Sequence, residues 1–315
     1  MAFTKEPPTD LDRASDLLSV GKVARETGIS PDTLRIWERR YGAPVPLRLP
    51  SGHRRYSIGQ ARWLRMVAEA LARGMRPSKV LPLDPEVLER DLLPDARIAL
   101  DPEVQALVRL LRDFDMDEMT HRLLLRAADV KPIDFLERSV SPLLVHVGAE
   151  WAAGRLEVRH EHVCSQVVTT ALQRLRAKAK PTDLRGRSLT LLVSTLPEDL
   201  HELGLHMIAF LAESYGVNVK LLGADVPLSE IVATALESKA SAVGISVSMS
   251  RGGIEADQLL MQLADALPAD VELVAGGAGT RSGRRAPRGV RLLSDLGDFR
   301  RWVEGWIART PRKVS

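Results

Sequence analysis

The chain has 315 residues, enough for two or three domains at roughly 100–200 residues each, and its 45% hydrophobic and 27% charged residues are those of a globular protein. No apolar run approaches the ~18 residues of a membrane span. The start MAFTKEPPTDLDRASD lacks the apolar core of a secretory signal. The single cysteine, Cys164, excludes an intramolecular disulfide framework, so a cytoplasmic protein with no membrane partner is expected. The net charge of +3 hides an asymmetry: thirteen Lys/Arg stand against four Asp/Glu between residues 20 and 80, giving that stretch +9 and the remainder −6. A basic head on an acidic body suggests a polyanion partner for the head, although a solvated basic face has the same composition.

Residues 1–17 read as a loose polar tail. In SVGKVARETGISPDTLRIWERRYG (19–42), Val20, Val23 and Ala24 give a short apolar face, and Gly28 permits a left-handed turn. Ser30 is placed to cap a second helix with Pro31 at its first position. Leu34, Ile36 and Trp37 are expected to hold that helix to the core. Thr33, Arg35, Arg39, Arg40 and Tyr41 are left to face a DNA groove and its phosphates. LRLPSGHRRYS (47–57) reads as a basic hairpin, with Arg48, His53, Arg54, Arg55 and Tyr56 as candidate DNA contacts around the Pro50-Ser51-Gly52 turn. Together these define a DNA-binding unit over 18–85. LPLDPEVLERDLLPDARIALDP (81–102) holds four prolines and reads as a linker with one helical turn, the linker between domains being 86–102.

Residues 103–180 form helical stretches without strands. Here GAEWAAGRLEVRHEHVCSQVV (148–168) predicts a helix ending near Trp151, a turn at Gly154 and a new helix from about Val158, with Glu161 and His162 in its first turns. The ordinary alternative is a core tryptophan and two solvated residues at a helix start. From 187 to 308 the pattern changes. Apolar runs at 188–193, 218–223, 242–247 and 271–276 alternate with helical segments near 201–215, 227–239 and 254–266, which implies βαβ units and a parallel sheet. Residues 309–315 read as a frayed end.

Ligands of open α/β sheets bind beyond the carboxyl ends of strands. LPEDLHELGLHM (196–207) follows the first strand, where His201 can offer an imidazole to a metal. Asp199 can hold its other nitrogen, and Gly204 allows close approach. His206 reads as structural. Ser246 and Ser248 follow the third strand, and Gly276 and Gly277 the fourth; such small residues would leave a slot for a long flat group. A generic glycine-rich phosphate loop is the alternative for Gly276, Gly277 and Gly279.

The order of helix, GIS turn, TLRIWERRYG and SGHRRYS resembles the MerR family of winged helix-turn-helix regulators. Members dimerise through a helix after the head; here it would fall near 80–92, interrupted by proline, so assembly is expected from the body. Asp199-Leu200-His201-Glu202-Leu203-Gly204, Ser246-Val247-Ser248 and Gly276-Gly277 resemble the D-x-H-x-x-G, S-x-[LV] and GG motifs of the Rossmann-like (flavodoxin-like) cobalamin-binding domain of methionine synthase and methylmalonyl-CoA mutase. That resemblance implies a four-helix bundle cap over 103–180, His201 as the lower ligand of cobalt, and the nucleotide tail in the slot. Trp151, nine residues, then Glu161 and His162 match the cap signature of the CarH and CarA type photoreceptor regulators, which implies adenosylcobalamin. The fold class expected is thus multidomain, α and α/β.

The resemblance implies a non-enzymatic, light-responsive transcription regulator, a homotetramer on operator DNA in the dark and a monomer after light. It departs from the pattern at Ala152, where light-sensing members carry a histidine; His146, His160 and His162 lie in the same region. Two readings from other classes stand beside it. One is a corrinoid carrier, against which the basic head argues, as does a length taken up by head, cap and cobalamin domain. The other is a metal- or drug-sensing MerR protein, for which a lone cysteine supplies no thiolate cluster. The nearer alternative is a cobalamin sensor that does not use light, or a CarA-like regulator whose cofactor is dispensable.

Overall fold

The computed structural model describes residues 5, 17–72, 75–92, 101–178, 189–248, 251–280 and 286–309. Most of the expected N-terminal tail, residues 93–100 of the expected linker, 179–188, and the C-terminal end lie outside the described residues. The chain forms two compact units, 1–114 with 142–164, and 115–141 with 165–315.

In the first unit, β1 (Leu18–Ser19) leads into α1 (Val20–Thr27) and α2 (Pro31–Tyr41). The Ser19 and Ser30 hydroxyls accept from the Lys22 and Thr33 amides and so cap the two helices. Gly28, at φ 68°, ends α1, its N–H donating to the Ala24 carbonyl. β2 (Leu47–Arg48) and β3 (Arg54–Tyr56) form the hairpin, closed by the Gly52 amide on the Leu49 carbonyl at 2.8 Å, in a sheet ordered β1-β3-β2. In α3 (Ile58–Ala72), Trp63, Leu64, Met66 and Val67 are fully buried.

Residues expected as linker instead begin with a helix. After α4 (Pro77–Val80), α5 (Pro85–Leu92) packs on α3 and buries Leu88 and Leu92. Pro77 and Pro85 sit at helix starts, where no amide is needed, and so set the helices' beginnings rather than breaking them. The unit is completed by α6 (Pro102–Arg112), most of α9 (Ser141–Ala152) and the start of α10 (Val158–Lys178).

The second unit holds α7 (Met116–Asp129), α8 (Pro132–Phe135), the π-helical turn Leu136–Val140 and the rest of α10. The four long helices in the region expected to form the cap are α6, α7, α9 and α10. A five-stranded parallel sheet follows: β4 (Thr190–Thr195), β5 (Asn218–Gly223), β6 (Ala242–Ser246), β7 (Glu272–Gly276) and β8 (Val290–Leu293), in the order β5-β4-β6-β7-β8. The last strand was not expected from the sequence. The row Leu192, Val243, Leu273 and Val290 packs under α12 (Leu228–Glu237) and α13 (Ile254–Ala266). α11 (Leu203–Ser214) and α14 (Leu296–Arg309) pack against each other. The chain leaves β4 in one direction and returns to β6 on its other side, so the sheet's topological switch point lies between β4 and β6, where open α/β sheets bind ligands.

Candidate functional site

The loops after β4 and β6 flank that switch point, and Asp199 ties them together. Its side chain is wholly buried; one carboxylate oxygen accepts from the Ser248 amide at 2.7 Å, the other from His201 Nδ1 at 2.9 Å and the His201 amide at 3.2 Å. Burial pushes the Asp199 carboxyl up, but the bonds from His201 and Ser248 outweigh it and hold the group below its ordinary range. A carboxylate can only accept, so Nδ1 carries the proton and Nε2 the lone pair. The imidazole is 62% exposed. An exposed imidazole fixed from behind by a buried carboxylate offers, in its neutral form, the Nε2 lone pair that a transition metal takes.

Three residues overlooked in the sequence brace this loop. Thr195 Oγ1 donates to the Asp199 carbonyl at 2.6 Å and accepts from the Asp225 amide at 2.9 Å. Asp225 in turn accepts from the Glu198 amide at 2.7 Å, and both Glu198 (φ 65°) and Asp225 (φ 54°) hold left-handed backbone that is costly without glycine. Arg251 donates to the Pro197 carbonyl at 2.9 Å and pairs with Glu198 and Glu255. No local signal marks them, since each acts from a different loop.

The glycines stand where backbone segments come close. A Cβ on Gly204 would lie 2.7 Å from Ser246 Oγ, one on Gly276 3.2 Å from the Leu293 carbonyl, and one on Gly277 2.6 Å from the Val247 carbonyl. Their room is taken by neighbouring atoms, and the loop after β7 closes onto β6 through Gly279 N–H to the Val247 carbonyl at 2.9 Å. Here the glycines are points where loops touch.

In the first unit, Trp151 stands near the end of α9 as a half-buried residue. Arg65 of α3 lies over its ring at 5.2 Å and pairs with Glu26 of α1 at 2.6 Å. The indole N–H is buried without a hydrogen-bond partner among the described residues, a cost of about 1–3 kcal/mol that a bound acceptor would relieve. Glu161 and His162 pair with each other at 2.8 Å near the start of α10, with His162 well exposed. Nearby, Glu150 accepts from Arg112 and Arg155, and Arg155 reaches Glu89 of α5. Ala152 is buried and offers no ligand. His160 is buried too; its Nδ1 accepts from the Glu157 amide at 3.1 Å and its ring packs on Phe114. Burial pushes the His146 imidazole down and the Cys164 thiol up to about 12. Among the described residues no group of three or more His, Cys, Asp or Glu is placed to hold a metal.

On the head, two expectations are corrected. Tyr56, expected at DNA, is one of the largest fully buried side chains: it pairs with Leu18 where the hairpin re-enters the core. Ile36, expected in the core, is 45% exposed, because Leu34 and Trp37 fill the inner face of α2. Thr33 is occupied in the cap with Ser30, Arg35 pairs with Asp32, and Arg40 lies over Tyr41. Arg39 is exposed and has no ion-pair partner among the described residues. In the wing, Arg48 and Arg54 both bind Glu38 of α2, at 2.5 and 2.7 Å. Burial raises the Glu38 carboxyl, but these arginines hold it below its ordinary range. His53 bonds Ser51, and Arg55 donates to the Arg54 carbonyl.

Comparison with known proteins matches three stretches of the chain. The family described as "MerR HTH family regulatory protein" matches residues 18–81, and two described as "B12 binding domain" match 103–176 and 189–289. The HTH-type transcriptional repressor CarH of Myxococcus xanthus is 31% identical over 267 residues, covering 82% of this chain and 88% of the relative. The repressor CarA of the same organism is 29% identical over 282 residues, covering 85% and 89%. The monomethylamine corrinoid protein of Methanosarcina barkeri superposes with a TM-score of 0.50 at 17% identity, over 65% of this chain and 97% of that one, a likeness of fold alone. No helix among the described residues is long and apolar enough to cross a membrane.

Proposed function

Because this chain belongs to the CarH and CarA type family of cobalamin-binding transcription regulators with a MerR-type head, we propose that it is an adenosylcobalamin-dependent, light-responsive repressor. The observation that carries this reading is His201, exposed at a switch point with its Nδ1 held by the buried Asp199 carboxylate. Bound adenosylcobalamin would supply a cobalt–carbon bond that light cleaves. His201 would hold the cobalt through Nε2, with Ser246, Ser248, Gly204, Gly276 and Gly277 around the nucleotide tail. Trp151, Glu161 and His162 would receive the adenosyl group, the orphaned indole N–H gaining an acceptor. For the tail to enter, the loops after β6 and β7 must part.

Cofactor binding can act on the DNA only by favouring one assembly state. In the dark, a homotetramer would place several basic heads on one operator, where avidity raises affinity without new base contacts. Arg35, Arg39, Arg40, Arg48, Arg54, Arg55 and His53 would meet the DNA. Loss of the adenosyl group would release monomers.

A second reading, a cobalamin sensor blind to light, is favoured by Ala152, which offers no ligand for cobalt once the adenosyl group has gone. Size exclusion with absorbance, on protein loaded in darkness and with or without green light, tests both. A large, cofactor-bearing species that shrinks on illumination supports the photoreceptor. Cofactor binding with no change of size supports the second reading, and failure to bind refutes both.

A further inference from the structure

The outer face of α2 carries an apolar side chain that the head does not use. Leu34 and Trp37 fill the side of the helix turned to the core, and Ile36 stands 45% exposed on the other. Its helical neighbours three and four residues away are Asp32, Thr33, Arg39 and Arg40. A β-branched residue gains nothing for helix stability at such a position. The polar neighbours are mostly engaged already: Thr33 in the cap, Asp32 with Arg35, Arg40 over Tyr41. Ile36 and Arg39, one turn apart, are therefore the side chains on this face best able to meet base edges.

We infer that Ile36 is a specificity residue that reads the C5-methyl group of thymine in the major groove. The inference rests on the reading of α2 as the DNA-facing helix. Thymine alone among the bases presents a methyl group there, and it is the apolar partner that the base edges of the major groove offer an exposed branched alkyl chain. The arginines supply phosphate attraction that is indifferent to sequence, so the methyl contact would add discrimination at one position of each half-site.

The test uses the full chain, with and without adenosylcobalamin in the dark, to select duplexes from a random pool. Each thymine of the selected site is then replaced by deoxyuridine, which keeps the base pair and removes only the methyl. The expected result is an affinity loss of about fourfold at one position per half-site, the worth of one buried methyl. Ile36→Ala, at an exposed helical position, is expected to keep its unfolding midpoint and its binding to other positions while losing that sensitivity. Arg39→Ala is expected to bind more weakly and to retain it. Wild-type protein indifferent to every deoxyuridine, or Ile36→Ala as sensitive as wild type, overturns the inference and leaves DNA binding intact. Enrichment of no duplex under either condition overturns the DNA-binding reading itself, and the inference with it.

Discussion

Replacing Asp199 with asparagine separates two roles that the carboxylate combines. The new side chain can still accept from the Ser248 amide, now through a neutral oxygen. Its amide nitrogen then faces both His201 Nδ1 and the His201 amide and can only donate, so the bond from the His201 amide is lost. The imidazole must turn Nδ1 into an acceptor, which moves its proton to Nε2 and removes the lone pair a metal needs. Hydrogen bonds to a charged group contribute about 1.5–3 kcal/mol and neutral ones about half that, so the loss of stability should be only about 2 kcal/mol, because His201 lies at the surface. Metal affinity should fall further, by roughly 10–100-fold, as expected when the partner orienting a histidine ligand is lost. Urea unfolding of cofactor-free protein measures the first quantity. Titration with cobalamin, followed by the absorbance change of nitrogen ligation, measures the second. Wild-type affinity together with a nitrogen-ligated spectrum in Asp199→Asn would refute the tautomer argument.

Glu38→Gln should release Arg48 and Arg54 to the DNA: non-specific affinity should rise and its dependence on salt steepen by up to about two phosphate contacts, while the head loses roughly 1 kcal/mol. The folded Glu38 carboxyl titrates below its unfolded value, so its contribution to stability is complete above the ordinary carboxylate range and is lost as pH falls through the folded value; acid unfolding of the wild type should be steeper than that of Glu38→Gln. Gly277→Ala, at φ 107° with the Val247 carbonyl 2.6 Å from the new Cβ, should cost more than ~1 kcal/mol in thermal unfolding; an unchanged midpoint would mean the loop does not hold this conformation in solution. A double-mutant cycle on Arg65→Ala and Trp151→Leu should give a coupling of about 0.5–2 kcal/mol from the cation over the indole, and a coupling of zero would show the two are not in contact.

What the sequence makes legible is whatever local chemistry dictates. Ser30, Pro31 and Gly28 mark the turn between α1 and α2 because capping and left-handed backbone involve neighbours only. The start of α10 at Val158 and the place of His201 after β4 follow in the same way. Side chains whose role depends on a distant segment are not legible. Tyr56 looks like part of a basic hairpin, yet its partner is Leu18, across the sheet. Ile36 looks like core from its chemistry alone, whereas its angle on the helix, opposite Leu34 and Trp37, turns it outward. Glu38, the acid that organises two arginines of the wing, is hidden among basic residues. β8 is four residues long and follows a basic, glycine-containing stretch, too little for an alternating pattern to register.

The contact of Arg65 with Trp151 bears on how such regulators can be recombined. Glu69 beside Gly148, Arg62 beside Gly154 and Glu89 with Arg155 repeat the pattern along α3 and α5, so the corner between α9 and α10 is lined by residues of those two helices. A DNA reader excised at the linker would carry these side chains away from their partners. Chimaeras that graft a foreign DNA-binding head onto this chain should therefore co-vary Arg62, Arg65, Glu69 and Glu89 with the corner they meet, because residues 142–164 belong to the same compact unit as the head.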